Sequence, residues 1–167
     1  LTLLAGDNDV MLLQGSGNIT NGGHGKNHEL FSVLYANKED QSQLPLIQEA
    51  WEYLKTLTDK IEGISSEKLD WVTANCSLLN DAPTIKHQFH TISEEFSAAL
   101  LYNQDSGIWQ QLQNLIPADE ITNIKVFSPF YDEKGTMLNN LSTYFNNTPI
   151  EAFLQPDKGI HPHRMED

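Results

Sequence analysis

The sequence predicts an α/β fold with a mixed, partly parallel sheet and a helical connector, on three observations. A short apolar run, Val10–Leu13, lies between Asp9 and Gly15 near one end of the chain, and Ile121–Phe127 reads as a further strand near the other. Between them, residues 45 to 79 carry apolar side chains at helical rather than alternating spacing. After Pro83, strand-like and helix-like segments take turns, the pattern of parallel strands joined by helices.

Each element has its own local reason. Asp9 to Gln14 is an apolar run between the turn Gly6-Asp7-Asn8-Asp9 and Gly15, which predicts a buried strand with Leu1 to Ala5 as its hairpin partner. Thr20 to Lys26 is a glycine-rich loop, and Glu29 to Tyr35 alternates with Phe31, Val33 and Tyr35 on one side, predicting a further strand. The polar stretch Asn37 to Gln43 then yields to Pro45, Ile47, Ala50, Trp51, Leu54, Leu57 and Ile61 at helical intervals, with Gly63 as the stop. Ser65 or Ser66 is the expected N-cap of a second helix through Leu69, Val72, Cys76 and Leu79, closed by Asn80-Asp81-Ala82-Pro83. Ile85 to His90 alternates as a strand, and Phe96 to Tyr102 reads as a buried one. Helices are expected at Ser106 to Ile116, with Ile108, Trp109, Leu112, Leu115 and Ile116 facing a core, and at Gly135 to Phe145, with strands at Ile121 to Phe127 and Ile150 to Leu154. The composition divides the chain into residues 1–37, a helical connector 38–83, and residues 84–167.

Composition narrows the function. A net charge of −13 works against non-specific attraction to nucleic acid or to an anionic membrane, since both need clustered Lys and Arg. One cysteine, Cys76, excludes an internal disulfide, and its place in a helical pattern reads as packing. No apolar run approaches the length a bilayer needs, so no membrane insertion and a cytoplasmic location are expected. His24, His28, His87 and His90 form no compact ligand set in sequence, although His87 and His90 would meet if their segment were helical. His161-Pro162-His163 reads as an exposed tail, and neither a metal nor a cofactor is expected. Gly22-Gly23-His24-Gly25-Lys26 lacks the Gly-Lys-Ser/Thr ending of a phosphate-cradling loop.

The most informative stretch is Gly15-Ser16-Gly17-Asn18-Ile19-Thr20, preceded by an apolar strand and followed by Asn27-His28-Glu29. Each piece alone is ordinary turn or strand-edge chemistry. In this order they resemble the trailing half of the motif of the phospholipase D superfamily, in which a His-x-Lys pair precedes a short strand, Gly-Ser/Gly-x-Asn and then Asn-x-Glu. The segment Ile124 to Asp132, with its Ser128-Pro129-aromatic turn, resembles the opening of that family's second repeat. The resemblance implies a phospholipase D-like layered fold, with residues 1–37 ending the first repeat and 84–167 starting the second. It also places one His-x-Lys just upstream of Leu1 and the other after Asp167.

In this family a histidine attacks phosphorus to give a phosphohistidine, a second histidine protonates the leaving oxygen, and lysines neutralise the phosphoryl oxygens without a metal. By resemblance, Ser16 and Asn18 donate to non-bridging phosphate oxygens, while Gly15 and Gly17 allow close approach and add N–H donors. Glu29 is the carboxylate that fixes the tautomer and orientation of the imidazole. Thr20, Lys26 and Ser128 are further substrate-binding positions. The implied activity is phosphodiester cleavage by the intact protein, on nucleic acid in the nuclease branch or on phospholipid in the hydrolysing and phosphatidyl-transferring branches. The fragment alone is expected to be inactive, with flanking segments of the same protein, or a second copy in a homodimer, as its partners. The alternative is a scaffold or dimerisation module that keeps the fold without the chemistry.

Overall fold

In the computed structural model the described residues are 1–16, 30–59, 61, 65–81, 87–104, 106–128, 131–132 and 134–153. Helices and strands are mixed along the chain, and they fall into two compact units, Leu1–Tyr102 and Asn103–Asp167. Among the described residues no helix is long and apolar enough to cross a membrane.

The first unit opens on an antiparallel sheet of β1 (Thr2–Ala5), β2 (Asp9–Gly15) and β3 (Phe31–Asn37), in that spatial order. The hairpin expected from the first turn forms, with Gly6 donating its N–H to Asp9 O and Ala5 opposite Val10. Alternation along β2 sends Val10 and Leu12 into the core, where each is 1 % exposed. Phe31, Val33 and Tyr35 do share one face of β3, and it is the exposed one; Leu34 and Ala36 point the other way, towards the core. That inner face is covered by α1 (Leu44–Thr58), which buries Leu46, Ile47, Ala50 and Trp51 against it. Full burial of such side chains contributes about 1.5–3 kcal/mol each, enough to choose the face despite the aromatic content of the other.

A polar turn joins β3 to α1. Asn37 Oδ1 accepts the N–H groups of Glu39 and Asp40, and Asp40 Oδ1 accepts that of Ser42. Pro45 sits in the first turn of α1 as expected, but the helix ends at Thr58, leaving Ile61 beyond it and exposed; Gly63 lies outside the described residues. The second helix, α2 (Ser65–Asn75), is shorter than its apolar spacing predicts. Cys76 takes an extended backbone and Ser77–Leu79 a 3₁₀ turn, which lets Cys76, Leu78 and Leu79 all reach the core from a segment too short for another α-helical turn. Trp51 Nε1 donates to Thr73 Oγ1 at 3.3 Å and Gln48 Nε2 to Leu78 O at 2.9 Å, so α1 holds both pieces.

The strand expected at Ile85 to His90 is displaced. Residues 82–86 lie outside the described set, His87 has a left-handed backbone (φ 52°), and pairing begins only at β4 (His90–Ser93). The long strand expected from Phe96 to Tyr102 reduces to β5 (Phe96–Ala98), antiparallel to β4 with a bulge between Thr91 and Ser93. Leu100 and Tyr102 are buried beyond the end of that ladder, packing into the core with Val10 and Trp51. The break between the compact units falls after Tyr102.

The second unit contains the predicted strand–helix–strand. Its elements are α3 (Ile108–Leu115), β6 (Ile124–Phe127), α4 (Thr136–Tyr144) and β7 (Ile150–Phe153), with β6 and β7 paired in parallel, Ile124 opposite Ile150. A parallel pair requires a crossover, and α4 supplies it. Ile108, expected to face a core, is half exposed, whereas Gln111 is buried with its amide on Ser106 O and Oγ. The Tyr144 hydroxyl reaches Gln113 O at 2.7 Å and Ile116 O at 3.2 Å, joining α4 to the end of α3.

Asp132 caps α4: its carboxylate accepts the N–H groups of Thr136, at 2.8 Å, of Met137 and of Lys134. These bonds, that from Thr136 first, hold the Asp132 carboxyl below its ordinary value. Its contribution to the helix is thus present above the unfolded value near 3.8 and is lost as pH falls through the lower folded one. Asp132→Ala should reduce the helicity of this unit at neutral pH, read by far-ultraviolet circular dichroism, and the difference from the parent should vanish in acid.

Candidate functional site

Gly15 closes β2, the central strand of the first sheet, opposite Phe31. Ser16 follows, exposed, and its N–H donates to Leu30 O at 3.3 Å, so residues 16 and 30 meet at this point. A Cβ on Gly15 would sit 2.5 Å from both Leu30 O and Phe31 Cδ1. Glycine is required here by close approach of the neighbouring strand, since one of the two obstructing atoms is backbone and cannot swing aside. Gly15→Ala should therefore destabilise the first unit by about 1–3 kcal/mol, as overpacking does, measured as a lower urea midpoint at unchanged slope. An unchanged midpoint would show that the strand end is slack.

Of the other residues the sequence singled out, Gly17, Asn18, Thr20, Lys26 and Glu29 lie outside the described residues. Ser128 follows β6 directly in the second unit and is half-buried. The structure thus brings Gly15 and Ser16 together at one strand end and places Ser128 at the end of another strand.

A second constellation escaped the sequence. Glu49, fully buried in α1, stands between two histidines. The backbone N–H of His87 donates to Glu49 Oε1 at 2.8 Å, and His87 Nδ1 lies 3.3 Å from the same oxygen and 3.3 Å from Leu100 O. His90 Nε2 is 4.0 Å from Glu49 Oε2 and is buried without a hydrogen bond among the described residues. The His87 ring packs on Tyr102, 4.5 Å between centroids, and Tyr102 on Tyr53 at 4.3 Å.

The left-handed turn at His87, rather than a helix, is what lets both imidazoles reach one carboxylate. A buried carboxylate needs such partners, because desolvating a lone charge is far costlier than any packing it offers. The signal was present: Glu49 lies among Leu46, Ile47 and Ala50, an acid inside the apolar stripe. Among the described residues no group of three or more His, Cys, Asp or Glu side chains has the geometry to hold a metal ion, this trio included. Its evident role is to anchor the approach to β4 on α1.

Comparison of the chain with protein-family models, with curated proteins and with solved structures gives no match.

Proposed function

We propose that this chain is the central part of a phospholipase D-like phosphodiesterase, a nuclease that cleaves phosphodiester bonds through a phosphohistidine without a metal cofactor. The layered two-repeat arrangement and a cytoplasmic site of action belong to the same proposal. The observation that carries it is the register of the first sheet. Thr2 faces Leu13 in an antiparallel ladder, so a strand continued backwards from Leu1 would set its next two positions against Gly15 and Ser16. A His-x-Lys on that continuation in the intact protein would lie beside the turn that the motif uses to hold phosphate. On the other side of β2, β3 begins at Phe31.

In this reading the missing histidine supplies the nucleophile, Ser16 and Asn18 hold the non-bridging oxygens, and Glu29 orients the imidazole. Ser128 serves the second repeat. The deciding assay gives the intact protein single-stranded DNA, duplex DNA and phosphatidylcholine in EDTA. Cleavage of DNA that resists the chelator supports the nuclease, and cleavage of phosphatidylcholine alone transfers the proposal to the phospholipase branch. A strict need for added metal counts against the family. One observation favours a scaffold instead: Leu4, Phe31, Val33 and Tyr35 lie exposed on the outer face of the first sheet. Inactivity on all three substrates would select it.

A further inference from the structure

Phe127 and Phe153 differ from the other exposed apolar side chains. Their rings are stacked 4.1 Å apart and within 5° of parallel, at the last register position of the β6–β7 pair. Phe127 keeps 72 % of its surface exposed and Phe153 keeps 42 %. The Tyr131 hydroxyl lies 3.3 Å from Val126 O and 3.2 Å from Phe153 O, tying the carboxyl ends of both strands together and so fixing the spacing of the rings. The carboxyl ends of parallel strands are where open α/β sheets take their ligands, and Ser128 follows Phe127 directly.

We propose that Phe127 and Phe153 form a stacking platform for an unpaired base of a single-stranded nucleic acid. The proposal deepens the phosphodiesterase reading and rests on it for the role of Ser128 alone. Two parallel rings present an outer π-face to a third ring, which is what a nucleobase offers and an acyl chain does not. Lys125, on the same exposed strand face, is 3.6 Å from Glu151 and so already paired, leaving little there to attract a lipid headgroup. Duplex DNA hides its base faces and binds largely through phosphate attraction, which a net charge of −13 opposes. A single strand meets the same opposition from charge, so stacking on its exposed bases is what must supply the binding.

The test measures fluorescence anisotropy of two labelled probes with the full chain: a thymidine oligonucleotide of about twelve residues, within the site size of such platforms, and its abasic counterpart of equal charge. The parent chain should bind the base-bearing probe roughly 5- to 150-fold more tightly, the range that stacking of one base contributes. Phe127→Leu, which keeps an apolar side chain, should remove that preference while circular dichroism shows the fold intact. Phe127→Trp should keep the preference, with indole emission quenched by the thymidine probe and not by the abasic one. Equal binding of both probes by the parent, no binding of either, or an undiminished preference in Phe127→Leu would overturn the platform. So would binding that depends on Phe127 but is seen only with phosphatidylcholine vesicles. Cleavage by the intact protein in EDTA is read separately. Base-dependent binding without cleavage keeps the platform and sinks the hydrolytic reading, and cleavage without base preference does the reverse.

Discussion

Replacing Glu49 by alanine will lower the stability of the Leu1–Tyr102 unit by about 2–5 kcal/mol, the usual cost of truncating a buried side chain and leaving a donor without its acceptor. The loss has named parts. The His87 N–H loses its acceptor at 2.8 Å, and the half-buried His87 ring and the buried Nε2 of His90 lose the carboxylate they face. A buried leucine in α1, such as Leu46, should lose a similar 2–5 kcal/mol when truncated to alanine, so the acid is as important to this helix as its apolar neighbours. Glu49→Gln keeps the shape and the acceptor for His87 N–H and should lose only about 1–3 kcal/mol. Urea unfolding followed by circular dichroism measures both, with allowance for two transitions since the chain has two compact units. If Glu49→Ala unfolds at the parent's midpoint, the cluster is incidental to stability.

On the proposed phosphodiesterase reading, and with the roles it gives these residues, the largest effect on activity is expected from Glu29→Gln and Asn18→Ala in the intact protein. Each should lower turnover by roughly ten- to ten-thousand-fold, as for loss of an orienting partner or of one donor to a developing oxyanion. The two should divide differently between kinetic parameters. Asn18→Ala removes a donor to phosphate and lowers kcat, with KM changing to the extent that the same bond holds substrate in the ground state. Glu29→Gln leaves phosphate binding intact and acts through the imidazole, so kcat should fall with KM nearly constant. Steady-state kinetics on the preferred substrate distinguish these patterns. Parent-like turnover in both variants would reduce the Gly15–Glu29 block to a turn.

Much of the architecture was legible because local pattern and tertiary outcome agree. The β1–β2 hairpin follows from a Gly-Asp-Asn-Asp turn beside an apolar run, and the parallel β6–β7 pair from two short apolar strands flanking a helix. The misreadings share a different cause. Apolar content in Phe96–Tyr102 reads as one strand, yet Leu100 and Tyr102 are buried by core packing after the ladder has ended. Helical spacing carried α2 through Leu79, where a tighter turn buries the same residues.

The candidate site was legible only as far as motif order goes. By resemblance Gly15 was marked for close approach to phosphate; in the fold, the atoms that leave no room for a Cβ there are those of Leu30 and Phe31 in the chain's own next strand. The Glu49–His87–His90 cluster was legible only as an acid inside an apolar stripe; its first hydrogen bond spans 38 residues, and a left-handed backbone at His87, uncommon for a non-glycine residue, brings the histidines to it.

The parallel pairing of β6 with β7 also imposes a history on the molecule. Ala5 and Val10 meet across a turn of four residues, so the first hairpin can close early and locally. Ile124 and Ile150 can meet only after the intervening crossover has been drawn in, and the entropy of closing that longer loop must be met before any ladder bond rewards it. The strand ends that carry Phe127, Ser128 and Phe153 are therefore among the last features of the second unit to form.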